Sequence, residues 1–288
     1  MNAHEYILAK QVQWARNCHI KIIGSKNMRG RPSYTSKLIE NLFEPLIPEV
    51  RESFEKGDGN EIKGSPDSPA KMQALHSSSA LGVNIFHYWQ RIRQVPLIAA
   101  ACGFCKKRNN TSQKIVFEDK YPIDDKFRHS PNIDVVIYNS DASKVKRFAI
   151  ECKFSEAYGG RKHSGLNPKY INLDVIWEDI PRAFDFAKTI SPQDTKFAHL
   201  HPAQLVKHIL GLKNKFGKEG FRFLYLWYDV LGQEGSVHRK EIEAFSDLVK
   251  SDGIKFHSQS YQELIVKLSN EYRSEHEKYI RYISERYL

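Results

Sequence analysis

PNIDVVIYNSDASKVKRFAIECKFSE, residues 131–156, decides how this chain is read. Two apolar runs, 133–138 and 147–154, flank the polar turn material NSDASK, so the stretch predicts two antiparallel strands joined as a hairpin. In the second run Phe148, Ile150, Cys152 and Phe154 fall at period two and share one face, the core side. Glu151 and Lys153 then project together from the opposite face. Charges in mid-strand are costly to bury unless they are paired or hold a metal. The first run is headed by Asp134, after the stiff Pro131-Asn132, and the hairpin brings that carboxylate toward Glu151.

Two carboxylates and a lysine are the groups phosphodiester cleavage needs. Asp134 and Glu151 can share Mg²⁺, with Mn²⁺ as a substitute, and leave waters on the ion. Such an ion acidifies water and offsets the charge that builds at phosphorus. Lys153 then positions the attacking water or stabilises the pentavalent state. The string [DE]-x-K alone discriminates poorly, because matches begin at Glu61, Glu118, Asp124, Glu151 and Asp194. Only Glu151 sits mid-strand with a core-facing alternation and an Asp-headed strand before it. The rival reading is an ordinary solvent-facing strand with a cross-strand ion pair.

Outward from this hairpin the chain alternates helices and strands. Leu81, Ile85, Tyr88 or Trp89, and Ile92 recur at helical spacing after Ser79, a candidate cap. Pro96 suits the first turn of a second helix, and Gly103 its C-terminal cap. KIVFE (114–118) reads as a strand before the hairpin, and Ala157 to His201 as a long irregular connection. A helix through Gln204, Leu205, Ile209 and Leu212 follows, then FRFLYLWYD (221–229). That run does not alternate, which suits a central strand covered on both faces. A helix at 238–250, a strand at 254–258 and one or two C-terminal helices complete an α/β layer pattern. Residues 1–70, with GSKNMRGRPSYTSK and KGDGNEIKGSPDSPAK, read as a basic, loop-rich N-terminal extension to a domain at 71–288.

PNID followed after a hairpin by FAIECKF resembles the PD-(D/E)xK motif of restriction-endonuclease-like nucleases. Asn132-Ile133 separates Pro131 from Asp134, where the motif's shorthand has Pro-Asp directly. By position, the resemblance makes Asp134 and Glu151 the metal-binding acids and Lys153 the catalytic lysine. It covers roughly residues 75–230 and implies a mixed central sheet flanked by helices. It further implies a Mg²⁺-dependent endonuclease acting on double-stranded DNA. IECKFSE is similar to a bacterial group of restriction-type enzymes, which points to type II restriction. The alternatives are a non-specific repair, phage-defence or toxin nuclease of the same fold, or a DNA-binding module without catalysis.

Around this core, Glu118 is a candidate third acid, and Glu156, Gln204 and Asn84 are candidate supports. The net charge of +10 over 288 residues suits an anionic polymer as partner. Lys26, Arg29, Arg31 and Lys37, with Arg161 and Lys162 just after the motif, are the candidate DNA contacts. Arg29–Pro32 reads RGRP, the centre of an AT-hook or simply a basic turn. Cys102 and Cys105 lack the second pair that a zinc site would need, and the histidines read as structural or surface. The N-terminus carries charges throughout and no apolar run approaches a membrane span, so a cytoplasmic protein is expected. Apolar stripes at Leu264, Ile265, Leu268 and at Tyr279, Ile280, Ile283, Tyr287 suit internal packing, or a homodimer.

Overall fold

The computed structural model describes residues 1–24, 33–57, 59–65, 68–160 and 163–288. A small antiparallel pair joins β1 (Ile22–Ile23) and β2 (Tyr34–Thr35). The main sheet has five strands, in the order β3 (Ser112–Lys120), β4 (Asn132–Asn139), β5 (Arg147–Lys153), β6 (Phe221–Trp227) and β7 (Phe256–Ser260). Short turns make β3, β4 and β5 antiparallel neighbours. Helical connections make β5, β6 and β7 parallel. The mixed sheet is the one the sequence predicts.

Before the sheet come α1 (Ala3–Asn17), α2 (Pro48–Lys56), α3 (Ser78–Arg91) and α4 (Val95–Ala101). Between β5 and β6 lie α5 (Pro168–Ile171), α6 (Pro181–Thr189) and α7 (Pro202–Phe216). α8 (Gln233–Ser251) links β6 to β7, and α9 (Tyr261–Tyr272) and α10 (Glu277–Tyr287) end the chain. One face of the sheet buries Phe148, Ile150, Cys152, Leu224 and Leu226 against α3, α4, α9 and α10. The other buries Ala149, Phe223, Tyr225 and Trp227 against α6, α7 and α8. Burying both faces explains why FRFLYLWYD does not alternate. Among the described residues no helix is long and apolar enough to cross a membrane.

Three expectations need correction. The cap of α3 is Ser77, whose side chain accepts from the Ala80 amide, while Ser79 donates to Glu61 at 3.1 Å. The stretch from Ala157 to His201 is not simply irregular, since α5, α6 and short 3₁₀ turns occupy much of it. The first seventy residues are not merely loops. They contain α1 and α2 and give Ala3, Ile7, Leu42, Val50 and Phe54 to the same core as the rest, so the core shows no break at residue 70. The stripes of α9 and α10 serve internal packing, the first of the two readings the sequence allows, with Leu264, Ile265, Leu268, Tyr279, Ile280, Ile283 and Tyr287 all buried in that core. A second copy would have to use another surface. Gly103 does close α4, at φ +76°, in the left-handed region that glycine enters freely.

Candidate active site

The strand register sets the acids side by side. Pairing of β4 with β5 runs from Tyr138↔Arg147 to Val135↔Ile150 and stops there. The next position would set Asp134 across from Glu151. The two strands part at this point, and the Asp134 carboxylate takes the place of a ladder partner: its Oδ2 accepts the Cys152 amide at 2.7 Å. On the other side, Phe117 pairs with Val135 and Asp119 with Ile133, so Glu118 stands opposite Asp134. Glu118 is held at φ +55°, unusual for a residue with a side chain and common where structure serves a site. Glu118, Asp134 and Glu151 thus form a row across three neighbouring strands.

Glu151 is fully buried, which excludes the reading of β5 as a solvent-facing strand. Its Oε1 lies 2.6 Å from Lys153 Nζ, and its Oε2 lies 3.2 Å from His208 Nε2. Lys153 Nζ also donates to Gln204 Oε1 at 3.1 Å. These contacts set the charges. Burial works against ionising Glu151, but Lys153 and His208 outweigh it and hold its carboxyl below the usual range. Burial, with the charge of Glu151 next, drives Asp134 well above the ordinary carboxyl range. Glu118 is pushed up to about 7, first by burial and then by Glu61 and Glu151. Burial opposes the charge on Lys153, yet Glu151, Asp134 and Glu156 keep its ammonium above the normal lysine range.

A family model described as Restriction Endonuclease associating with ARP matches residues 8–288. The chain belongs to this family. No curated protein and no solved structure matches it. The match runs through both helical layers and the whole sheet, so the acid row lies inside a restriction-endonuclease-type chain.

Within this mixed α/β sheet, the structure brings together Asp134, Glu151, Lys153, Gln204 and Glu118. Glu156 stands exposed just past β5, where its Oε2 accepts the Phe154 amide at 3.2 Å. Asn84 is not part of the group. Its amide is spent on Asn41, Phe43 and Tyr287, tying the N-terminal segment to α10. Lys37 is exposed at the start of a 3₁₀ turn. Lys26, Arg29, Arg31, Arg161, Lys162 and the RGRP segment lie outside the described residues.

Two site neighbours escaped the sequence reading. His208 reaches Glu151 from α7, one helical turn beyond Gln204. That spacing of four is the only trace it leaves in the sequence. Glu61, which reads as an incidental loop acid, is tied to Ser79 and acts on Glu118 through its charge. With Ser78, Ser79 and Phe54, the residues Glu118, Asp134 and Cys152 line a small cavity under α3.

Among the described residues no three His, Cys, Asp or Glu side chains form a ready-made metal cluster. The row nevertheless fits a hard divalent cation. Its donors are carboxylate oxygens, and two of its acids are held above their ordinary pKa in part by neighbouring negative charge. A cation would relieve that repulsion, and Mg²⁺ needs only one or two protein carboxylates besides water and phosphate.

Proposed function

We propose that this chain is a Mg²⁺-dependent endonuclease of the PD-(D/E)xK type, hydrolysing phosphodiester bonds of double-stranded DNA as a type II restriction-type enzyme. The observation that carries this reading is the convergence of Asp134, Glu151 and Lys153 where β4 and β5 part. The family's restriction-endonuclease character supports the reaction class.

Asp134 and Glu151 would hold the ion, with Mn²⁺ as a substitute, and Asp134 would use the oxygen not engaged by Cys152. The ion would supply a lower pKa for the attacking water and positive charge at the phosphorus. Lys153 acts as a cation rather than a base, because the surrounding carboxylates keep it protonated. Its ammonium meets the negative charge developing on the phosphate oxygens, and Gln204 holds it in place. Glu151 stays ionised in a buried position because Lys153 and His208 face its two oxygens. The net charge of +10 favours the approach of a polyanion. On this reading the enzyme works in the cytoplasm, and a homodimer is the assembly suited to cutting both strands.

The test is digestion of a plasmid and several defined genomes with Mg²⁺, with an EDTA control. Discrete fragments that vanish with EDTA are expected. A smear would replace restriction by non-specific cleavage, and intact DNA at all Mg²⁺ concentrations would overturn the reading.

A further inference from the structure

α7 places Gln204 and His208 four residues apart, on the face that meets β5. Gln204 takes Lys153 and His208 takes Glu151, so one helix face holds both charged members of the Glu-x-Lys pair. The imidazole is 1% exposed, with the Phe223 ring tilted beside it at 5.9 Å between ring centroids. Among the described residues neither ring nitrogen has a well-aligned hydrogen-bond partner, and Nε2 lies 3.2 Å from the carboxylate of Glu151. A polar ring sealed into an apolar layer with one carboxylate in reach is poor packing unless that carboxylate needs it.

We propose that His208 is a positioning residue that fixes the rotamer of Glu151, and so the oxygen that Glu151 offers to a divalent cation. The inference rests on the nuclease reading above. In the Nε2–H form His208 engages Oε2 and lets Glu151 turn Oε1 toward the site. Lys153 leaves that oxygen when a phosphate arrives to receive its ammonium. Groups that orient metal ligands in this way typically contribute 10–100-fold to metal affinity or activity.

The two amide substitutions separate positioning from packing. A glutamine side chain places its amide nitrogen near the position of Nε2, whereas asparagine places its nitrogen near Nδ1. Mg²⁺ and Mn²⁺ affinity is measured by calorimetry on wild type, His208→Gln and His208→Asn. Single-turnover DNA cleavage and thermal unfolding are recorded on the same samples. His208→Gln is expected to retain metal affinity within a few-fold, and His208→Asn to lose about 10–100-fold with a similar unfolding temperature. Equal behaviour of the two amides, whether both intact or both equally impaired, would overturn the positioning role. If wild type itself neither binds the ions nor cuts DNA, the nuclease reading fails, and the role of His208 fails with it. If wild type does both and the amides do not differ, only the role of His208 is lost.

Discussion

Glu151 carries a charge in a place where water cannot reach it, and its two neighbours make that tolerable. The sequence suggests that Glu151→Ala would spare the fold, on the view that the side chain lies outside the core. Its complete burial changes that expectation. Alanine would leave Lys153 and His208 facing a void, and breaking a buried pair costs about 3–5 kcal/mol. Glutamine keeps the shape and can still accept from Lys153, so it should cost far less. Urea unfolding of both variants checks this, and an equally large loss in Glu151→Gln would place the cost on the missing charge rather than on the void. The address of Asp134, Glu151 and Lys153 was legible because period-two alternation fixes which side chains share a face. Glu118 was harder, because its place opposite Asp134 depends on the β3–β4 register and an unusual φ. His208 was harder still, because its spacing of four from Gln204 does not say that α7 docks on β5.

At the scale of elements, the site depends on how closely α3 and α7 approach the sheet and its loops. Both helices contain a glycine, and a glycine inside a helix ordinarily costs about 0.5–1 kcal/mol relative to alanine. At Gly82 in α3 an added Cβ would meet Cys152 Sγ at 3.6 Å and Val135 Cγ2 at 3.9 Å, both ordinary contacts. Gly82→Ala should therefore stabilise the protein by about 0.5–1 kcal/mol. At Gly211 in α7 the same atom would lie 2.4 Å from the Tyr121 carbonyl oxygen. Gly211→Ala should destabilise and push α7, with Gln204 and His208, away from β5. Denaturant midpoints with cleavage rates test the pair, and a stabilising Gly211→Ala would contradict this packing. The five strands of the main sheet and most helices were legible from periodicity, whereas the Ser77 cap was obscured by three consecutive serines, any of which could serve. The helices within 157–201 were hidden because they are short and interrupted by prolines.

Across the whole molecule, the ends of the chain are fastened to each other rather than appended. Arg286 is buried, and among the described residues it has no carboxylate partner. It donates to Gln11, to Asn41 and to Tyr282, and its guanidinium lies over Trp14 at 4.1 Å. Deleting residues 1–17 would strip Gln11 and Trp14 from Arg286 and expose α10, so the shortened chain should be unfolded or aggregated rather than a trimmed enzyme. A cooperative thermal transition in that deletion would contradict this. This coupling was not legible, because it joins polar residues at opposite ends of the sequence. A second global consequence concerns pH. Burial holds His76 at about 4 and His238 at about 3, with His4 and His199 adding to the effect respectively. Unfolded, both would take a proton near pH 6.5, so below that point the unfolded chain binds more protons and stability falls as pH drops. Between about pH 7.5 and pH 5 the unfolding temperature should fall less in a His76→Asn, His238→Gln double variant than in wild type. An equal fall in both would remove these histidines from the account.

The claim at the centre is that Asp134 and Glu151 hold a divalent cation while Lys153 acts on the phosphate. Single-turnover cleavage of duplex DNA, paired with calorimetric titration of Mg²⁺ or Mn²⁺, separates those roles in two variants. Glu151→Gln should lose both metal binding and cleavage. Lys153→Ala should keep metal binding, with one positive charge fewer beside the ion, yet cleave slower by a factor on the order of 10²–10⁴. Wild-type cleavage by Lys153→Ala, or undiminished metal binding by Glu151→Gln, would contradict the account.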